Sequence, residues 1–206
     1  QSIYYQQEIQ KNITEKKEIY KSLLNILEDS EASETDFQSF IDIINNQQKE
    51  DDRAKLEHLF QLIINISNNY CRNKSIFKTI FRILQYYQEK TKQTLSNIDT
   101  YNIFKSNKLI LLYLFENQTI LVDDIISQQI LQTVEKNGNH YSHFFYPEVK
   151  KFITEDQIKE IEDELLTKNS QIFDSFDEKR HLGENDSYIC SLIREDMVEE
   201  FVSYVN

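Results

Sequence analysis

The chain has 206 residues, 39% of them apolar and 12% aromatic, enough for a packed core. Its 35 acidic against 23 basic residues give a net charge of −12, which repels phosphate backbones and argues against nucleic-acid binding. Two glycines and one proline are too few for the turns of a many-stranded fold, so the chain is expected to be all-α.

In chain order, Ile9, Ile13, Tyr20, Leu23 and Leu27 predict a first amphipathic helix, ended by the acidic stretch 28–34. Thr35 followed by Gln38 is the pattern of a capping box, opening a helix with Phe37, Phe40, Ile41 and Ile44 on one face. Leu56, Leu59, Phe60 and Ile63 mark a third helix. After a break at Asn68-Asn69, Ile76, Phe77, Ile80, Ile83 and Leu84 mark a fourth, and Ile98 to Phe104 a shorter fifth. The run Leu109 to Phe115 reads as a buried helix, since it falls far below the roughly 18 residues that a membrane span requires. No membrane association is expected.

Val122, Ile125, Ile126, Ile130 and Val134 outline the next helix, stopped by Asn137-Gly138-Asn139. Residues 140–146 are expected to be extended or irregular, because they lead into Pro147, which itself suits a first helical turn. Thr154 with Gln157 repeats the capping pattern before Ile158, Ile161 and Leu165. Periodicity then fades through 169–185, with Phe173 and Phe176 as anchors. A last pair of short helices follows: one from Tyr188 to Arg194, then a turn at Glu195-Asp196, then Met197 to Val205. Short helices joined by polar turns predict antiparallel hairpins, in a solenoid-like array or a bundle. The expected organisation is a helical domain over 1–168, a connection over 169–185 and a terminal helix pair over 186–206.

The run Lys179-Arg180-His181-Leu182-Gly183-Glu184-Asn185-Asp186-Ser187-Tyr188-Ile189-Cys190 continues through Ile193-Arg194-Glu195-Asp196 and Glu199-Glu200-Phe201. It resembles the entry into the ankyrin arrays of an expanded family of protozoan ankyrin-repeat proteins. Residues 69–73, 103–108 and 145–150 resemble the helical region that precedes those arrays. The resemblance implies a domain used for protein contacts, and it brings no catalytic residue. The Thr-Pro-Leu-His signature of ankyrin turns is absent, so the terminal pair is expected to be a divergent or capping repeat. Val198, Phe201, Val202 and Val205 form its apolar stripe, which a helix pair cannot cover alone, and they are expected to stack on downstream repeats of the same chain. On this reading the chain is the amino-terminal module of a longer scaffold.

Lys74, Lys78 and Arg82, at i, i+4 and i+8, form a cationic stripe on an acidic protein and are candidates for docking a protein partner. The alternative is a solvated face with acidic neighbours. His140 and His143 supply two imidazoles three residues apart, and a metal would need further ligands from carboxylates such as Glu148 or from distant segments, so no metal site is assigned. Asp51-Asp52, Asp123-Asp124 and Glu162-Asp163-Glu164 read as helix starts or wet faces rather than catalytic acids, and no phosphate loop or nucleophile setting accompanies them. Cys71 and Cys190 suit reduced thiols in the cytoplasm, where the five glycosylation-type Asn-X-Ser/Thr matches would be inert. The expected function is a non-enzymatic interaction module without cofactor. The rivals are a structural cap or oligomerisation domain for the array and, more remotely, a metal-binding or hydrolytic protein.

Overall fold

A computed structural model describes residues 2–28, 33–46, 51–70, 74–134, 141–168 and 180–181. The described residues form helices joined by turns, with no strand among them, so the fold is all-α. None of the described helices is long and apolar enough to cross a membrane. The expected terminal helix pair, with Val198, Phe201, Val202 and Val205, lies outside the described residues, as do Cys71, Cys190, His140 and the Asn137-Gly138-Asn139 stop. The chain divides into two compact units, 1–107 and 108–206. That division falls inside the span read from sequence as one helical domain, and the expected connection at 169–185 is described only at Arg180 and His181.

In the first unit α1 (Ser2–Glu28) packs against α2 (Glu34–Asn45) and also against α4 (Lys74–Tyr86), while α3 (Asp52–Asn69) packs against α6 (Asn97–Phe104). The short α5 (Gln88–Thr94) touches both α3 and α4. Contacts between non-consecutive helices fold the chain back on itself. The buried stripe of α1 is Ile19, Leu23, Ile26 and Leu27, at i, i+4, i+7 and i+8. Ile13 and Tyr20, expected on that face, are 41% and 43% exposed. On α2 the four expected apolar residues are all buried.

The cap of α2 differs from expectation. Ser33 is the N-cap: its hydroxyl accepts from the Asp36 N–H at 3.2 Å, and the Asp36 carboxylate takes the Ser33 N–H at 3.0 Å. Thr35 is already helical and Gln38 bonds Asp42 instead, because a carboxylate outcompetes an amide as the reciprocal acceptor. Asp51 caps α3 as expected, accepting from the Ala54 N–H at 2.7 Å. Phe60 of α3 and Phe104 of α6 meet in the core with ring centroids 5.0 Å apart. The buried Asn107 closes the unit by donating to Ser67 Oγ and to Asn68 Oδ1, each at 3.0 Å.

The second unit begins with α7 (Lys108–Glu116), whose Ile110, Leu111, Leu112, Leu114 and Phe115 are buried. Asp123 caps α8 (Asp124–Gln132), accepting from the Ile126 N–H at 2.9 Å. Ile126 and Ile130 turn inward, whereas Ile125 and Val134 are exposed. Residues 141–144 and 146–149 are helical, although 141–146 are expected from sequence to be extended or irregular. They form two single turns, α9 (Tyr141–Phe144) and α10 (Tyr146–Val149), with Phe145 between them and Pro147 in the first turn of α10. Tyr141, Phe144 and Phe145 lie at i, i+3 and i+4, and a helical turn is what buries all three together. This packing overrides the pre-proline preference for extended backbone. A 3-10 turn (Lys150–Phe152) leads to α11 (Glu155–Lys168). Thr154 and Gln157 cap it reciprocally, at 3.0 and 3.4 Å, as the spacing predicts. Ile161 and Leu165 of α11 bury against Tyr146, with Leu131, Ile153 and Ile158 around them.

Candidate functional site

The cationic stripe rides on α4, whose Ile76, Phe77, Ile80, Ile83 and Leu84 are buried and so fix which face is left outward. Lys78 is exposed on that outward face, and the Lys74 side chain lies outside the described residues. Arg82 has a different setting. Its guanidinium stands 3.9 Å above the Phe37 ring and donates to the Glu34 carboxylate, which fastens α4 to the first turn of α2. The third member of the stripe therefore packs within the unit, and Lys78 is the member described as outward.

In the second unit, polar side chains gather around α9, α10 and α11 in three groups. The first is a cleft of about 190 Å³ lined by Leu131 of α8, Ser142 and His143 of α9, and Gln157, Glu160, Ile161 and Glu164 of α11. Within it His143, 13% exposed, places Nε2 2.8 Å from Glu164 Oε2. In the second group the Tyr146 hydroxyl donates to Glu162, and Lys150 Nζ donates to the same oxygen at 3.0 Å while standing 5.1 Å from the Tyr146 ring centre. The Tyr146 and Lys150 bonds hold the Glu162 carboxyl below its ordinary value of 4.5. Burial, and then the bond to Glu162, push the Tyr146 phenol up. Two members of the acidic triplet Glu162-Asp163-Glu164 thus reach back to α9 and α10 while staying 45% (Glu164) and 35% (Glu162) exposed on the wet face that the sequence suggests.

The third group is the most enclosed. Arg180, 4% exposed, donates from a terminal nitrogen to Glu148 Oε1 at 2.6 Å, and its guanidinium lies 5.5 Å from the Phe144 ring centre. Phe144 packs edge-on against Phe145, which packs edge-on against Phe115 of α7. Next to Arg180 in sequence, His181 Nε2 sits 2.7 Å from Glu116 Oε1. Burial pushes the Glu148 carboxyl above 4.5 in spite of the Arg180 charge, so removal from water is the larger influence there. The second oxygen of Glu148 is buried with no hydrogen-bond partner among the described residues.

The chain matches no protein-family profile, no curated protein and no solved structure.

Geometry is therefore what bears on function. The carboxylate suggested as a metal partner for His143, Glu148, is committed to Arg180, and His143 faces Glu164 instead. No cluster of three or more metal-ligating side chains occurs among the described residues. Sequence reading passed over Arg180 because it sits in an aperiodic stretch and its partner is 32 residues away, where no helical spacing can announce it. A lone arginine near buried aromatics was the available signal, since a guanidinium stacks on aromatic faces.

Proposed function

We propose that the chain is a non-enzymatic protein-interaction module: a helical region leading into an ankyrin-type array in a cytoplasmic scaffold, without cofactor. Val198, Phe201, Val202 and Val205 supply the stacking face for downstream repeats, and Lys74 and Lys78 contact a protein partner carrying negative charge. The observation that carries the reading is the burial of Arg180. The stretch that most resembles an ankyrin-array entry begins beside it, and that residue is locked onto α10 by Glu148 and onto α9 by Phe144. Such a joint fixes Arg180 onto the helices, which supports a rigid start to the stretch that resembles an array entry, as a scaffold presenting a rigid surface requires.

Charge reversal tests the partner surface. Lys74→Glu with Lys78→Glu leaves the buried face of α4 and the Arg82–Glu34–Phe37 contact intact, so the helical circular-dichroism signal is expected to hold. Crosslinking mass spectrometry on the full protein is expected to lose partner crosslinks near α4. Unchanged crosslinks there would reject α4 as the contact surface. Reversing Arg82 as well would confuse the result, because that residue also packs against Phe37.

A further inference from the structure

Beyond that reading, we propose that His143 and Glu164 form a pH-responsive clasp that tightens α11 against α9 as the medium acidifies.

The groups around α9 come from α8, α10 and α11, from Lys108 at the start of α7 and from Arg180. From α11, Glu164 contacts the imidazole and Glu160 lines the same cleft. From α8 the cleft receives Leu131, which carries no charge. From α10, Glu148 is held by Arg180, and the Tyr146 hydroxyl is held by Glu162, which Lys150 also binds. Two cations stand against the rings of α9: Lys108, 5.7 and 5.1 Å from the ring centres of Tyr141 and Phe144, and Arg180, 5.5 Å from that of Phe144 and bonded to Glu148. The imidazole thus faces two carboxylates on the helix that it touches.

A neutral imidazole can give Glu164 at most one ordinary hydrogen bond. Protonation adds a positive charge between α9 and two negative groups of α11, and converts the contact to a charge-assisted bond. The ring is mostly shielded from water, which sharpens the attraction, while the 45% exposure of Glu164 limits it to the scale of a partly screened pair. Ile161, which lines the same cleft, and Leu165 bury against Tyr146 and keep the helix seated at all pH values, so the clasp adjusts docking and does not create it.

The test is amide hydrogen exchange of the intact chain at about pH 5.5 and about pH 8, with protection corrected for intrinsic rates. Protection of α11 is expected to be about two- to fivefold higher at the lower pH, and α4, which carries no histidine, to show no matching gain. Glu164→Gln, which keeps the side chain's size, is expected to abolish most of the gain. Equal α11 protection at the two pH values, or a full gain in E164Q, would overturn the proposal. If E164Q does not fold, the wild-type chain still decides it by NMR. The α11 amide shifts should titrate with the His143 ring at one midpoint, and α11 shifts indifferent to that titration would refute the clasp.

Discussion

Gln118 shows how one residue carries a cost that the fold imposes. It sits at φ 55°, in the left-handed region just past α7. The bonds Gln118 N–H to Phe115 carbonyl at 3.0 Å and Thr119 N–H to Leu114 carbonyl at 2.9 Å complete a Schellman-type helix end. Glycine is the usual occupant, and any side chain there clashes with its own backbone by about 1–2 kcal/mol. Gln118→Gly is therefore expected to stabilise the second unit by about 0.5–1 kcal/mol, once the greater flexibility of the unfolded glycine chain is subtracted. Chemical denaturation checks it, and a lower midpoint in the variant would contradict the left-handed cap. The glycine-poor composition gave no hint of this helix end, because the sequence places a residue there against its local preference.

At the scale of the helix, legibility followed apolar period. The spacing of Phe37, Phe40, Ile41 and Ile44, of Leu56, Leu59, Phe60 and Ile63, and of Ile161 and Leu165 identified buried faces that the structure shows. Period failed where few apolar residues define the face. The stretch that forms α5, Gln88–Thr94, has no apolar stripe, and its buried residue is Thr91, whose hydroxyl donates to the Tyr87 carbonyl at 2.7 Å. In α1, Ile19 replaces Tyr20 on the inner face, because the adjoining helices α2 and α4 select among neighbouring apolar positions that the local pattern does not rank. The candidate sites were less legible than the helices. Lys74, Lys78 and Arg82 all fall on α4, yet the stacking of Arg82 on Phe37 and the reach of Arg180 to Glu148 join residues 45 and 32 positions apart in sequence. Pairings of that kind depend on tertiary packing and leave no periodic trace.

Across the whole chain, the acidic residues that give the charge of −12 are partly built into helix starts and ion pairs. Hydrogen bonds from the Ser33 side chain and backbone hold Asp36 below its ordinary value of 3.8. The Lys90 bond does so for Asp52, and Ser96, followed by Arg53, for Asp99. A lowered folded value means stability that is present above 3.8 and is lost as pH falls through the lowered values. Glu148 has the opposite sign: its raised value makes its contribution largest below 4.5 and smaller as pH rises through the raised value. The first unit, which contains the three aspartates, is expected to lose denaturant resistance steadily between about pH 4 and about pH 2, and a flat midpoint over that range would contradict the caps. The joint at Arg180 carries the scaffold reading, and Glu148→Ala addresses it most directly by leaving a buried guanidinium without its carboxylate. Breaking such a pair is worth about 3 kcal/mol. Amide exchange of the intact chain should then show Arg180 and His181 losing protection by at least about tenfold, with the first unit unaffected. Protection of those two residues equal to wild type would contradict the joint on which the scaffold reading rests.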